Sequence, residues 1–171
     1  GVHDRVVEHL LSAGERAIER SAPTVAERHF RSALKTLTAL PESVQRARLE
    51  LKIILLLGPL VSLAKGNASK EVAELYQRAL ALCERTENQL SRFPASFGLR
   101  AHFLARSKLD AAHELGIALR DAADIADTVD ARLAANVALV GSYFYLGDTE
   151  SSKRHIDLAL DLYDVRQHVN H

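Results

Sequence analysis

Cysteine occurs once in the 171 residues, at Cys83, so no intrachain disulfide framework holds the chain, and such usage fits a reducing cytoplasm. A lone cysteine on a helix reads as a small buried hydrophobe, and no histidine stands at a spacing that would make it a nucleophile. Net charge is lacking too, with 22 Lys and Arg against 22 Asp and Glu. That balance gives no bulk attraction to nucleic acid or to an anionic membrane surface, and neither is expected as a partner. Long apolar runs are missing: the longest, Ile53 to Leu57, is far too short to span a bilayer. No charged-then-apolar leader ends in a cleavage site, so secretion is not indicated.

Site chemistry is equally scarce. Neither G-x-x-x-x-G-K-[ST] nor G-x-G-x-x-G occurs, so no loop offers the backbone amides that cradle a phosphate. His113-Glu114 opens like a zinc-hydrolase motif, but Ile117 stands where the second histidine would be needed. His168 and His171 share a helical face without a Cys or carboxylate nearby, and read as solvent-exposed. Asp121, Asp124, Asp127 and Asp130 recur at helical spacing but lack the glycine and ligand order of a calcium loop; Asp127 to Asp130 read as a cap for the next helix. No catalytic residue, cofactor or metal is therefore expected. No segment alternates apolar and polar residues over strand length, so no strand is expected either.

What is present is helical periodicity. From Leu133 to Tyr163, Leu133, Val137, Val140 and Phe144 recur at three- and four-residue spacing, with Leu139, Tyr143 and Leu146 widening that face. Gly147 then stops the helix, and Asp148 or Thr149 caps the next one, whose face carries Ser152, Ile156, Ala159, Leu160 and Tyr163. Ser152 and Ala159 are small enough to let the two helices approach closely. The unit is a helical hairpin, which cannot bury both faces alone and calls for neighbours of its kind.

The rest of the chain supplies them. The first hairpin pairs Val6, Leu10, Ala13, Ala17 and Ile18 with Ala26, Phe30, Ala33, Leu34 and Leu37; Gly14, Ala26, Phe30 and Ala33 repeat the offsets of Val140, Ser152, Ile156 and Ala159. In the second, residues 42–64 are apolar nearly all round, which predicts burial on most sides, and Pro59 predicts a kink or break near Leu57 to Pro59. Its second helix, capped at Ser69, carries Val72, Tyr76, Ala79, Leu80 and Cys83. The third pairs Phe93, Phe97, Leu99, Phe103 and Leu104 with Ala112, Leu115, Leu119 and Ala123, and places Gly116 where the other copies have a large side chain. Gly66, Ser107 and Gly147, the turn residues, lie 41 and 40 residues apart. Four hairpins, at about residues 3–40, 42–87, 89–127 and 129–164, account for the chain: an all-α, alpha-alpha superhelix of about eight helices, read as a single helical-repeat domain over 1–171.

This pattern resembles the tetratricopeptide repeat. Leu139, Tyr143, Gly147, Ser152, Ile156 and Ala159 carry the match in the last copy, and Gly14, Ala26, Phe30 and Ala33 in the first. The middle copies depart from it, with Pro59 and Arg100 in place of the small first-helix residue and Gly116 in place of the large second-helix one. HFRSALKTLTALPES, LELKIILLLGPLVSLAKGNASKEVAELYQRALALCE and HIDLALDLYDVRQH are further similar to the repeat region of large bacterial signalling proteins. In these, a class III adenylate or guanylate cyclase, or another signalling domain, precedes an ATPase-like module and tetratricopeptide-type repeats. The resemblance implies a piece of a longer cytoplasmic protein, with no catalytic activity of its own, acting as a protein-interaction or intramolecular regulatory module. The start at Gly1 and the VRQHVNH ending also read as a trimmed chain.

In such an array the first helix of each hairpin lines the concave face. Equivalent offsets from the turns give Leu11, Glu15 and Ile18 in the first copy, then Leu56, Leu60 and Leu63, Phe97, Ala101 and Leu104, and Val137, Gly141, Phe144 and Tyr145. The Lys and Asn pairs with which some tetratricopeptide domains clamp a terminal carboxylate have no counterpart there. A mostly apolar face has three readings: an amphipathic or apolar helix of a protein or peptide partner docks there, another domain of the same chain fills it, or tight curvature makes it core. The alternative function is a small-molecule or peptide sensor with an apolar cavity inside the superhelix. The terminal helix, with Ile156 and Leu160 at its edge, also leaves a homodimer open.

Overall fold

The computed structural model describes residues 2–163, the side chains of residues 2–4 and Gln89 excepted. Among these residues the chain is all-α, with no strand and eight helices: α1 Val2–Glu19, α2 Pro23–Leu37, α3 Val44–Lys65, α4 Lys70–Thr86, α5 Gln89–Ala105, α6 Leu109–Ala126, α7 Val129–Tyr145 and α8 Thr149–Leu162. No helix among them is long and apolar enough to cross a membrane. His168 and His171 lie outside the described residues.

The turns repeat as the helices do. Ser21, Gly66, Ser107 and Gly147, one in each turn inside a hairpin, all have positive φ between 53° and 81°. Glu87 and Asp127, between hairpins, have φ of 52°. A left-handed residue after a helix lets the next amides turn back onto its last carbonyls. Here Asn88 N–H donates to Cys83 O at 3.0 Å and Asp148 N–H to Tyr143 O at 3.0 Å. The caps that follow are partly those expected. Asp148 Oδ1 accepts from Ser151 N–H at 2.9 Å, which holds its carboxyl below the usual range, and Thr128 Oγ1 accepts from Ala131 N–H at 3.3 Å. Ser69 occupies the cap position of α4 without a side-chain bond.

The chain falls into two compact units, residues 1–102 and 103–171. In the first, α1 packs on α2, α2 on α3 and α3 on α4. Aromatic rings set against glycines lock these pairs. A Cβ on Gly14 would fall inside the Phe30 ring; one on Gly58 would come within 2.7 Å of Tyr76, and one on Gly98 would fall inside the same ring. Tyr76 therefore fills a slot between α3 and α5, its hydroxyl bonded to the Ser62 side chain, and burial pushes its phenol up. Ala47, Leu51, Ile54, Ala79, Leu82, Cys83 and Ala95 form the core beside it. Cys83 is buried and free, and desolvation raises its thiol.

Two expectations for α3 change. The helix runs unbroken from Val44 to Lys65 across Pro59. Pro59 is exposed, so the bond it cannot make lies on the solvent side, where a freed carbonyl costs least, while the buried side, Leu57, Gly58 and Val61, keeps its packing. Gly58, not residue 59, takes the close approach of the second copy. Ion pairs brace the outside. Glu71 of α4 accepts from Arg31 Nη1 of α2 at 2.6 Å and from Lys65 Nζ of α3 at 2.5 Å. Those partners, Arg31 foremost, hold the Glu71 carboxyl below its ordinary range. Each such exposed pair contributes at most about 1 kcal/mol.

In the second unit α7 packs between α6 and α8. Small residues set the spacing: Ala112, Gly116 and Ala123 of α6, Ala135, Ala138 and Ser142 of α7, and Ser152 and Ala159 of α8 are buried. Ser152 Oγ donates to Val140 O at 3.1 Å, so a hydroxyl here bonds across the contact that aromatic packing makes in the first unit.

Candidate interaction surface

Helix α7 has two apolar faces, and only one is covered. Ala135, Ala138, Leu139 and Ser142 are buried. Val137, Gly141 and Phe144, spaced by four and three residues, share the other side with Tyr145. Val137 is 50% exposed, Phe144 63% and Tyr145 59%, while Gly141 is half-buried. The Phe144 and Tyr145 rings meet edge to face, centroids 5.6 Å apart. Leu104, at the start of the same unit, is half-buried. Val129 and Leu146 are exposed at the two ends of α7.

In the first unit, α3 presents Leu56 and Leu60, half-buried, and Leu63, 75% exposed; α5 presents Phe97, exposed, and Ala101, half-buried. On α1, Glu15 reaches Lys52 Nζ of α3 at 2.8 Å, Ile18 is exposed, and Leu11 belongs to the core rather than to the surface. None of Leu56, Leu60, Leu63, Phe97, Ala101, Leu104, Val137, Gly141, Phe144 and Tyr145 is buried. Fully covering a Val or Phe side chain contributes roughly 1.5–3 kcal/mol. A ligand laid over Val137, Phe144 and Tyr145 therefore recovers on the order of 5 kcal/mol before the cost of ordering it, which suits weak, reversible docking.

Two aspartates of the helically spaced set are paired with arginines. Asp121 pairs with Arg120 at 2.9 Å and Asp127 with Arg132 at 2.5 Å. Among the described residues no three His, Cys, Asp or Glu side chains converge on a metal position. Arg100 is buried in α5, and burial pulls its guanidinium below the ordinary value. His102 Nδ1 lies 2.8 Å from Asn67 O, tying α5 to the turn before α4. A crevice of about 180 Å³ between α2, α3 and α4, floored by Leu34, Leu37, Ile54 and Leu75, is rimmed by Arg46, Arg78 and Glu50. It is smaller than the roughly 300 Å³ at which small-molecule sites begin, and none of the stripe residues lines it. With no titratable side chain along the α7 stripe from Val137 to Phe144 other than Tyr143, which faces α6 and α8, the chemistry available there is apolar burial. The sequence matches no protein-family model and no curated protein.

Proposed function

We propose that this chain is a non-catalytic, tetratricopeptide-like module that docks an amphipathic or apolar helix of a protein partner, or of another domain of its own chain, against α7. The observation that carries this reading is the uncovered stripe of Val137, Phe144 and Tyr145 on a helix whose opposite face is already buried. A monomeric surface scatters its large apolar residues singly; three on one helical face mark a place for another apolar surface. The evenly spaced left-handed turns support the repeat reading. The balanced charge argues for recognition by shape and apolar contact rather than by long-range attraction. The resemblance to bacterial cyclase and ATPase signalling proteins supports reading the module as a cytoplasmic regulatory or docking element beside a catalytic domain.

Photoreactive residues test the reading. Placed at Val137 or Phe144 in the cellular protein, each should form a defined adduct with one partner segment, and the same residue at Lys70, on the outside of α4, should not. Equal labelling at all three positions, or labelling at Lys70 alone, would overturn it.

A further inference from the structure

His113 of α6, Tyr143 of α7 and His155 of α8 form a ladder across all three helices of the second unit. Tyr143 stacks on His155, ring planes 8° apart and centroids 5.3 Å apart, and meets His113 edge to face at 4.8 Å. His155 is only 7% exposed. Its Nδ1 lies 2.7 Å from Asn136 Oδ1. Asn136 Nδ2 donates to Arg132 O at 2.8 Å, which turns the amide so that Oδ1 faces the imidazole; Nδ1 of His155 must then carry the proton and donate. The neutral ring satisfies this arrangement. A second proton would have to enter at Nε2 and put a cation into the helix interface.

We propose that this ladder makes the second unit an acid-sensitive joint, which holds α8 on α7 at neutral pH and loosens it in a mildly acidic medium. The surroundings of His155 oppose its cation from its own helix and from α6. Burial is the largest influence, followed by Arg154 on its own helix and Arg120 on α6, and all three hold the imidazole below its ordinary value. Arg120 is damped by Asp121, and Arg154 donates to Ser151 Oγ at 3.4 Å and interacts with the Asp148 carboxylate. His113 lies on the far side of Tyr143, and its Nδ1 is sealed from solvent without a hydrogen-bond partner. From α7 the Tyr143 face gives a cation a partial offset, and Asn136 serves the proton already on Nδ1. With the folded value depressed, the unfolded chain binds more protons between that value and the ordinary histidine value. Stability of the second unit is full above the ordinary value and is lost as pH falls through this window. The joint stands independently of what docks on α7.

Amide hydrogen exchange on the whole chain reads this directly. Between about pH 7.5 and about pH 5.5, after correction for intrinsic rates, exchange in α7 and α8 should quicken several-fold while that in α3 and α4 stays level. His155→Gln, which keeps a donor for Asn136 and cannot charge, should flatten the response in α8. A second readout, the NMR titration of the histidines in the wild-type chain, does not depend on the variant folding and should place His155 below the ordinary histidine value. A pH-independent α8, a response retained in His155→Gln, or a His155 titrating at or above the ordinary value would overturn the proposal.

Discussion

The two units solve the same packing problem with different materials. In the first, Phe30 and Tyr76 press their rings onto bare glycine backbone, and Val7, Leu37, Leu51, Ile53, Ile54, Leu57, Val61 and Val72 are fully buried around them. In the second, Leu119, Leu139 and Ser142 are the counterparts, and the helices meet through alanines, a serine-to-carbonyl bond and a tyrosine set between two imidazoles. Apolar volume is insensitive to pH, and its removal leaves a cavity. Polar contacts between small residues bury less, respond to protonation, and open more readily. The unit built the second way is also the one whose middle helix keeps an uncovered apolar face.

The sharpest break in this contrast is Phe30→Ala, which empties the slot over Gly14 and should destabilise the first unit by about 3–5 kcal/mol in denaturant unfolding. Leu139→Ala, the nearest equivalent in the second unit, should cost less, about 2–3 kcal/mol, since small neighbours can close on the space. Gly98→Ala tests overpacking instead. The added methyl would overlap the Tyr76 ring, and a loss of about 1–3 kcal/mol is expected, with a tyrosine fluorescence change marking the displaced ring. The smallest effect has the opposite sign. Glu87 holds a left-handed conformation that glycine adopts without strain, so Glu87→Gly should raise the melting temperature, by a stabilisation of a few tenths to about 1 kcal/mol. Asp127→Gly should gain less, because Asp tolerates that conformation better and its carboxylate also pairs with Arg132.

Helical content and hairpin order were legible because an amphipathic period of 3.6 residues runs through nearly every segment and Gly66 and Gly147 mark two of the turns. Ser21, Glu87 and Asp127 carry the same backbone conformation without a glycine to announce it. Of the kink or break expected near Pro59, the break does not occur, since packing on the buried side of α3 keeps the helix continuous. That Gly58 rather than residue 59 makes the close approach shows only in the packing, where a Cβ on Gly58 would come within 2.7 Å of Tyr76. The histidine ladder was not legible at all, since His113, Tyr143 and His155 lie on three helices and become neighbours only when these pack. For the apolar stripe the period gives the face but not its exposure. Leu11 and Phe144 were assigned to the same surface, and one is core while the other is 63% exposed.

That distinction also supplies the most direct test of the proposed function, in a single variant, Phe144→Asp. If Phe144 serves a partner, the charge should leave the stability of the isolated chain within about 0.5 kcal/mol of wild type while abolishing the adduct formed from a photoreactive residue at Val137. Unfolding of the second unit by Phe144→Asp, or an adduct that persists undiminished beside the new carboxylate, would contradict the account.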